Sequence, residues 1–223
     1  MKKPITAKLV ILRHGQTDYN KHHLMTGQAD VPLNEAGEKQ AIDAGRLLSG
    51  MRFDKVYAST LSRAFNTAAL ALTSAGITAE IEKRHEIIEV HTGAFTGRSH
   101  RTDPEILAWE RRFDKPMPGG GESDEIAVKR VRAFYELEVL PRLQRGENVL
   151  VVAHAGILRA FDVVLGLVEV GEGGMMVNKR PVPNALPTLY QFENGKMTHV
   201  VPLQSPAASP ANNNAFPKPR KIG

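Results

Sequence analysis

Two runs of consecutive apolar residues frame the chain, at positions 9–12 and 149–153. Apolar runs of this length without a helical period are typical of strands buried on both faces of a parallel sheet. Each run ends in polar and small residues, Arg13-His14-Gly15 after the first and His154-Ala155-Gly156 after the second. The pattern therefore predicts two buried strands that each present a histidine at the carboxyl end.

The hydrophobic pattern predicts further helices and strands between and after these runs. The predicted helices span 34–50, a segment that begins after the caps Ser59 and Thr60, about 102–112, about 122–145, and a segment from Ile157. The predicted strands span 53–58, 77–81, 188–192 and 196–200, with a hairpin turn at 193–195 joining the last two. Residues 19–30 are polar and predict a loop.

Helical spacing also indicates which side chains face the core. In the helix at 34–50 the expected apolar side consists of Ala41, Ile42, Ala44, Gly45 and Leu48. In the helix at 122–145 it consists of Ile126, Val131, Phe134, Leu137 and Leu140. Pro141 lies near the end of that helix and is expected to kink it.

Five polar residues in this pattern carry candidate chemistry. Arg13, His14 and His154 follow buried strands, and the carboxyl ends of parallel strands meet at the ligand crevice of an open α/β sheet. Arg63 falls in the first turn of a predicted helix, where backbone N–H groups attract anions. Glu89 is a carboxylate in a loop punctuated by glycines. The sequence thus predicts two imidazoles converging on an anion site.

Composition narrows the class of protein. The 223 residues suffice for one large domain, expected over residues 1–203. The net charge is +5, but residues 204–223 hold three basic residues and no acid, so the charge is a poor argument for nucleic-acid binding. Because this segment is rich in Ser, Pro, Ala and Asn, we expect it to be a flexible basic tail. The chain contains no cysteine, which excludes disulfides and thiolate chemistry. Without a signal peptide or membrane span in the pattern, we expect a cytoplasmic enzyme, and no ligand spacing predicts a metal site.

Five motifs in a fixed order resemble those of the histidine phosphatase superfamily, the phosphoglycerate mutase-like enzymes. They are Leu12-Arg13-His14-Gly15, Ser59-x-Leu61-x-Arg63-Ala64-x-x-Thr67, Glu89-x-x-x-Gly93-x-x-x-Gly97, Gly120-Gly121-Glu122-Ser123 and Val152-Ala153-His154. The resemblance covers roughly residues 8–200. It implies an α/β fold, a three-layer α/β/α sandwich whose mostly parallel sheet has one antiparallel edge strand.

The resemblance also implies roles for individual residues. His14 would be the nucleophile that forms a phosphohistidine, Arg13, Arg63 and His154 would bind the transferred phosphoryl group, and Glu89 would be the general acid and base. Fixed cations suit this reaction because a phosphoryl group in transfer spreads charge over three oxygens, so no metal is implied. The implied substrate or phosphate contacts are Asn20, Thr26, Gly27, Arg111, Arg112 and Ala155.

The motifs leave the acceptor of the phosphoryl group open. The segment 109–114 and Thr26 resemble phosphoglycerate mutases, which would use 2,3-bisphosphoglycerate as a priming phosphodonor. The residues that depart from the mutase pattern are Thr92, His100, Glu110, Ala155 and Gly156. Such departures favour a phosphatase, for which the acceptor is water. In either case the partner is a small anionic phosphorylated substrate, with no nucleic acid and no membrane; a homodimer stays open, and a non-catalytic phospholigand-binding domain is a distant alternative.

Overall fold

The computed structural model describes residues 3–174, 176–177 and 180–203, so the tail predicted at 204–223 lies outside the described residues. The strands are β1 (Thr6–Arg13), β2 (Lys55–Ser59), β3 (Ile81–Arg84), β4 (Val149–Ala153), β5 (Glu169–Val170), β6 (Met176–Val177), β7 (Thr188–Glu193) and β8 (Lys196–Pro202). The helices are α1 (Asp18–Lys21), α2 (Glu35–Leu48), α3 (Ser62–Ala75), α4 (Pro104–Ala108), α5 (Asp124–Phe134), α6 (Leu140–Gln144) and α7 (Ala155–Val164). A π turn at Tyr135–Val139 joins α5 to α6, and single 3₁₀ turns lie at His85–Ile87, Gly93–Phe95 and Glu172–Gly174.

In the described part of the chain the main sheet has six strands in the order β3-β2-β4-β1-β7-β8. The pairs β3–β2, β2–β4 and β4–β1 are parallel, whereas β7 is antiparallel to both β1 and β8. The predicted α/β class and the mostly parallel sheet are confirmed. The one reversed strand, β7, is not itself the edge, because the hairpin predicted at 193–195 adds β8 outside it.

Alternate side chains of the central strands enter two separate cores. Leu9 and Ile11 of β1 belong to one core, and Val10 and Leu12 belong to the other. This is the consequence of the two-residue period of a strand that is covered on both faces. Helices α2 and α3 cover one face of the sheet, and α5, the π turn, α6 and α7 cover the other, which gives the three layers.

Local capping explains where several helices begin and end. The Asn34 side chain accepts a hydrogen bond from Gly37 N at 2.9 Å and caps α2. Helix α3 ends at Gly76 in the left-handed conformation, with φ of 68°. The predicted capping of α3 by Ser59 and Thr60 is wrong: the N-cap is Leu61, without a side-chain hydrogen bond.

Two other elements differ from prediction because tertiary contacts override the local pattern. The strand predicted at 77–81 is β3, at Ile81–Arg84, where charged residues on an edge strand conceal the alternation. The helix predicted at 102–112 ends at Ala108. Beyond it the Trp109 ring packs edge-to-face on Phe95 at 5.7 Å, with the Lys115 ammonium 3.8 Å from the centre of the Trp109 ring.

The helix predicted at 122–145 is present as one continuous helical stretch made of α5, the π turn and α6, with the π turn just before Pro141. The widened turn moves the buried positions to Tyr135 and Val139, so Leu137 is 76% exposed instead of being in the core. Ile126 is also exposed, because the buried stripe of α5 begins at Ala127. In α2, Ile42 likewise lies at the surface.

A polar loop was the expectation for residues 19–30, but its start is the short helix α1, closed by a reciprocal pair of hydrogen bonds between Thr17 and Asn20. The helix predicted from Ile157 begins two residues earlier, directly after His154. Within the ranges described, no helix has both the length and the apolar character needed to cross a bilayer.

Candidate active site

A cleft of about 450 Å³ lies at the carboxyl ends of β1 and β4. Its walls come from the loops after β1, β2 and β4 and from the segment 89–92. It is lined by Arg13, His14, Asn20, Leu24, Met25, Thr26, Gly27, Arg63, Glu89, Val90, Thr92, His100, Arg111, Met117, Ala155, Gly156 and Arg159. Strands β1 and β4 are parallel neighbours in register, Arg13 beside Ala153, so the residues that follow them, His14 and His154, meet at one edge of the sheet.

His14 is held in one orientation by its own turn. Its Nδ1 lies 2.6 Å from the carbonyl oxygen of Gly15, and since a carbonyl only accepts, Nδ1 carries the proton. The unprotonated Nε2 is therefore the nucleophilic nitrogen. Burial, together with the charges of Arg13 and Arg63, lowers the pKa of His14 well below its usual value of 6.5. A neutral imidazole with a defined tautomer is what attack on phosphorus requires.

The turn at His14 is possible because of small residues at two places. A Cβ on Gly15 would lie 2.3 Å from the carbonyl oxygen of Gly37, at the start of α2. The Gly15 N–H donates to Thr67 Oγ1 at 2.9 Å, and that hydroxyl donates to the Arg63 carbonyl at 2.6 Å. The motif residue Thr67 thus ties the nucleophile's turn to the helix that carries Arg63.

His154 packs beside His14, with ring centres 5.2 Å apart, and its side chain is fully buried. Its Nε2 lies 2.7 Å from Ser59 Oγ, which also accepts a hydrogen bond from Leu61 N at 3.3 Å. Where the Ser59 hydroxyl donates to Nε2, the His154 proton lies on Nδ1, an atom without a partner among the described residues. Burial and the charge of Arg63 lower the pKa of His154 well below its usual value.

Two arginines bring positive charge to the histidines. Arg63 is fully buried in α3 and donates to the carbonyl oxygens of Ala29 at 2.7 Å and Gly27 at 2.8 Å. Arg13 donates to the carbonyl oxygen of Val182 at 2.7 Å. Burial lowers the pKa of Arg13 to about 10, so it stays a cation at neutral pH.

Several buried donors in and beside the cleft have no acceptor within the described residues. They are the Nε atoms of Arg13, Arg63 and Arg159 and the Nδ1 atom of His154. A buried donor without a partner costs about 1–3 kcal/mol, and native structures hold few of them. A group of such donors on cationic and imidazole side chains marks the place of an anion that supplies the acceptors.

Glu89 lines the same cleft and is close enough for its charge to act on Arg13 and Arg63. One carboxylate oxygen accepts from Val90 N at 2.8 Å, and the other lies 3.4 Å from the N–H of Gly156 in the first turn of α7. A carboxyl group held by backbone N–H groups beside cationic side chains can act as a general acid or base.

The backbone of Glu89 is held by a residue that the sequence motifs did not indicate. Arg130 of α5 donates to the carbonyl oxygens of Glu86 at 2.7 Å and Glu89 at 3.3 Å. Its guanidinium is paired at 3.0 Å with Glu122, whose other contact is the N–H of His91 at 2.9 Å. In the sequence, the only signal of this support is Glu122 of the Gly120–Ser123 motif. Its partner, Arg130, lies eight residues later in the chain, within α5.

The structure brings most of the predicted substrate contacts to the cleft. Asn20, Thr26, Gly27 and Ala155 all line it. The Asn20 Oδ1 atom accepts from Thr17 N at 3.2 Å and from Asn184 Nδ2 at 3.3 Å, which leaves its NH₂ group as a donor. Their roles in binding remain predictions.

The structure places only one of the two predicted substrate arginines at the cleft. Arg111 lines the cleft and forms an ion pair with Asp124, with Nε to Oδ2 at 2.9 Å. Arg112 does not line the cleft: it pairs with Asp114 on the exposed surface. The chain leaves helical geometry after Ala108, so the two side chains point to different partners.

Arg159 is a cleft residue that sequence reasoning missed. It lies four residues after Ala155 on α7, so both occupy the same face of that helix. Burial and then the like charge of Arg111 lower the pKa of Arg159. The i, i+4 spacing from the strand-end motif was the available signal.

Asn184 is a second missed residue. Its side-chain NH₂ donates to the carbonyl oxygen of His14 at 2.9 Å. The segment that carries it is anchored by a buried ion pair between Arg180 and Asp162 of α7, at 2.9 Å. No local pattern around Asn184 indicates this contact, since the two residues are far apart in the chain. Among the residues described, no three His, Asp or Glu side chains form a group that could hold a metal.

Comparison with known proteins agrees with this geometry. The family model of the histidine phosphatase superfamily (branch 1) matches residues 9–199. A 2,3-bisphosphoglycerate-dependent phosphoglycerate mutase of Streptococcus thermophilus is 32% identical over 83% of this chain and 94% of its own length.

Solved structures of both phosphatases and mutases share the fold. A mycobacterial glucosyl-3-phosphoglycerate phosphatase is 28% identical, with a TM-score of 0.65 over 83% of this chain and 90% of its own. A phosphoglycerate mutase of Bacillus anthracis is 26% identical, with a TM-score of 0.71 over 87% of this chain and 92% of its own. The chain therefore belongs to branch 1 of the histidine phosphatase superfamily and is a phosphoryl-transfer enzyme.

Proposed function

We propose that this enzyme is a phosphatase of small phosphomonoesters that passes the phosphoryl group from His14 to water. The observation that carries the proposal is a set of buried nitrogen atoms without partners among the described residues, on Arg13, Arg63 and His154. The His154 ring packs on His14, the charges of Arg13 and Arg63 act on His14, and the Nε2 atom of His14 is unprotonated. A tetrahedral phosphoryl group supplies oxygens to these donors and places phosphorus beside the nucleophile. Charge-assisted hydrogen bonds of this kind contribute about 1.5–3 kcal/mol each.

In the first step Nε2 of His14 attacks phosphorus, and the bond from phosphorus to the ester oxygen breaks. Glu89, as the general acid, gives a proton to the departing oxygen. The products are an alcohol, a phosphohistidine and the Glu89 carboxylate. A positioned acid contributes about 10²–10⁴-fold when the leaving group is an alkoxide.

In the second step the Glu89 carboxylate takes a proton from water as the water oxygen attacks phosphorus. The bond from phosphorus to Nε2 breaks, which releases inorganic phosphate and returns His14 and Glu89 to their starting states. The Nδ1–H bond to the Gly15 carbonyl holds the ring through both steps. Arg13 and Arg63 offset the charge that spreads over the phosphoryl oxygens.

Two further arginines in the cleft favour substrates with a second anionic group. Arg159 and Arg111 both line the cleft, and of the two only Arg111 forms an ion pair within the described residues, with Asp124. At about 450 Å³ the cleft has room for an ester larger than a phosphoglycerate. The proposal includes a cytoplasmic location, where small phosphorylated metabolites occur, with either a monomer or a homodimer as the assembly.

A phosphoglycerate mutase is the second candidate, favoured by the 32% identity to the Streptococcus thermophilus mutase. A mutase needs the same histidine, arginines and glutamate but returns the phosphoryl group to a bound phosphoglycerate. The departures at Thr92, His100 and Gly156 all line the cleft, where they alter the surface that such a substrate would contact.

The test follows two products separately. The enzyme is incubated with 3-phosphoglycerate, with and without catalytic 2,3-bisphosphoglycerate, and with 4-nitrophenyl phosphate as a general probe. We expect release of free phosphate, formation of an acid-labile phosphoenzyme and no excess of 2-phosphoglycerate over phosphate. The variant His14→Ala should form no phosphoenzyme.

An excess of 2-phosphoglycerate that depends on the bisphosphate would establish the mutase and overturn the phosphatase proposal. Turnover that survives in His14→Ala would remove His14 as the nucleophile.

A further inference from the structure

Gly156 lies in unusually close contact with the carboxylate of Glu89. A Cβ built on Gly156 would lie 2.5 Å from Glu89 Oε1 and 2.7 Å from Val90 Cγ2, both far inside van der Waals contact. The residue is in the first turn of α7 and has no left-handed φ, so its backbone conformation does not require glycine. The need for glycine at this position comes from what lies opposite.

The surroundings leave the carboxylate as the group that would have to move. Val90 is 3% exposed and belongs to the main core. The backbone of Glu89 is held by Gln28 and Arg130, which both donate to its carbonyl oxygen, at 2.9 Å and 3.3 Å. Among the described residues the Glu89 carboxylate is held only by the backbone N–H groups of Val90 and Gly156, so a methyl group at position 156 would displace it first.

We propose that Gly156 is a positioning residue for Glu89: the absent side chain lets the carboxylate rest against the first turn of α7, in the cleft that His14 also lines. This inference rests on the proposed function, in which Glu89 moves protons. Gly156 contacts the Glu89 carboxylate through its N–H, at 3.4 Å, and the proposal gives it no contact with phosphorus or the ester oxygen. Position 156 affects catalysis through the position of the Glu89 carboxylate.

The consequence is selective for the leaving group. An alkyl phosphate leaves as an alkoxide and needs the proton of a correctly placed Glu89. The leaving group of 4-nitrophenyl phosphate is a stabilised phenolate, which departs without a proton. Both substrates need Glu89 again as the base in hydrolysis of the phosphohistidine. Displacing the carboxylate should therefore slow phosphorylation by the alkyl substrate alone and slow dephosphorylation for both.

The experiment compares wild type, Gly156→Ala, Glu89→Gln and the double variant in rapid-mixing kinetics. With 4-nitrophenyl phosphate we expect Gly156→Ala to give a burst of nitrophenolate close to one per active site. The burst rate should be within about threefold of wild type, and the steady rate that follows should be about 10–10²-fold slower. With a phosphoglycerate as substrate, the rate of the phosphorylation step itself should be about 10–10²-fold lower in the same variant.

The double variant separates positioning from damage to the fold. If Gly156 acts through Glu89, adding Gly156→Ala to Glu89→Gln should cost less than about twofold further, because the group being positioned is already absent. Additive losses, or a nitrophenolate burst slowed as much as the alkyl reaction, would show that Gly156 supports His14 or the fold instead. If Gly156→Ala reacts at the wild-type rates, the inference about Gly156 is overturned and the proposed function is not. If the wild-type enzyme shows neither a nitrophenolate burst nor phosphate release, the proposed function is overturned.

Discussion

At the scale of single residues, the chemistry of this site is decided by which nitrogen atoms are already hydrogen-bonded. The Gly15 carbonyl holds His14 Nδ1, and the Ser59 hydroxyl holds His154 Nε2. His14 is thereby left with a free acceptor, and where the Ser59 hydroxyl donates to Nε2, His154 is left with a free donor. In the proposed reaction these neighbours give the two histidines different roles, His14 as nucleophile and His154 as anion ligand.

Ser59→Ala should test this assignment. The change leaves Nε2 of the buried His154 without its partner, and a lost buried hydrogen bond costs about 1–3 kcal/mol of unfolding free energy. It also removes the hydrogen bond that favours one tautomer of His154. We therefore expect kcat/KM to fall roughly tenfold, which corresponds to a loss of about 1.4 kcal/mol in transition-state binding. Urea unfolding and steady-state kinetics measure the two effects.

The matched control for that change is Ser74→Ala, since Ser74 Oγ donates to the Ile42 carbonyl at 2.9 Å on the far side of α3. We expect little change in activity there. Equal kinetic losses in the two serine variants would contradict the role given to Ser59.

At the scale of elements, the loop that carries Glu89 depends on α5. Arg130 reaches from that helix to two carbonyl oxygens of the segment 86–89, and its pairing with Glu122 fixes the guanidinium. The helix thus acts as a support for a loop that has only two single 3₁₀ turns of its own. The hydrophobic pattern predicted α5 as core packing and did not indicate this second role.

Removing that support with Arg130→Met should lower kcat for alkyl phosphates by about tenfold, because the general acid loses a fixed backbone. Leaving the partly buried Glu122 unpaired should also reduce the unfolding free energy by about 1–3 kcal/mol. The control is Lys129→Met, next to it on α5, whose exposed pair with Glu125 contributes about 0.5 kcal/mol or less. A normal rate with alkyl phosphates in Arg130→Met would mean that Glu89 is placed without this helix.

At the scale of the whole molecule, the fold holds two neutral histidines in its interior, and this lowers the unfolding free energy at acidic pH. Burial lowers the pKa of both His14 and His154 well below 6.5. Below pH 6.5 the unfolded chain therefore binds protons that the folded protein does not. Stability should rise with pH through this window and fall as the pH drops below it.

We expect the unfolding free energy to fall by about 1.4 kcal/mol per pH unit for each of the two histidines as the pH decreases from about 6 to 5. Denaturant titrations at a series of pH values give the slope. In His14→Asn, which cannot take up the proton in either state, the slope should drop by about one proton equivalent. An unchanged slope in that variant would mean that His14 is protonated in the folded enzyme.

Prediction from sequence succeeded where a residue's environment is set by near neighbours in the chain. The apolar runs before His14 and His154 identify buried strands whatever surrounds them, and capping residues such as Asn34 act within one turn. Prediction failed where a distant contact outweighed the local pattern. The helix at 102–112 is short because Trp109 and Arg111 find partners outside it, and Leu137 is exposed because the π turn shifts the register.

The sequence by itself determined the α/β class and the family, and it indicated the residues His14, Arg63, Glu89 and His154 by their motifs. Only the tertiary structure decided that donors around His14 lack acceptors, that Arg159 rather than Arg112 lines the cleft, and that Gly156 leaves room for Glu89. The physical reason is range. Periodicity and capping act over a few residues, whereas proton positions and steric fit depend on atoms that folding brings together from distant parts of the chain.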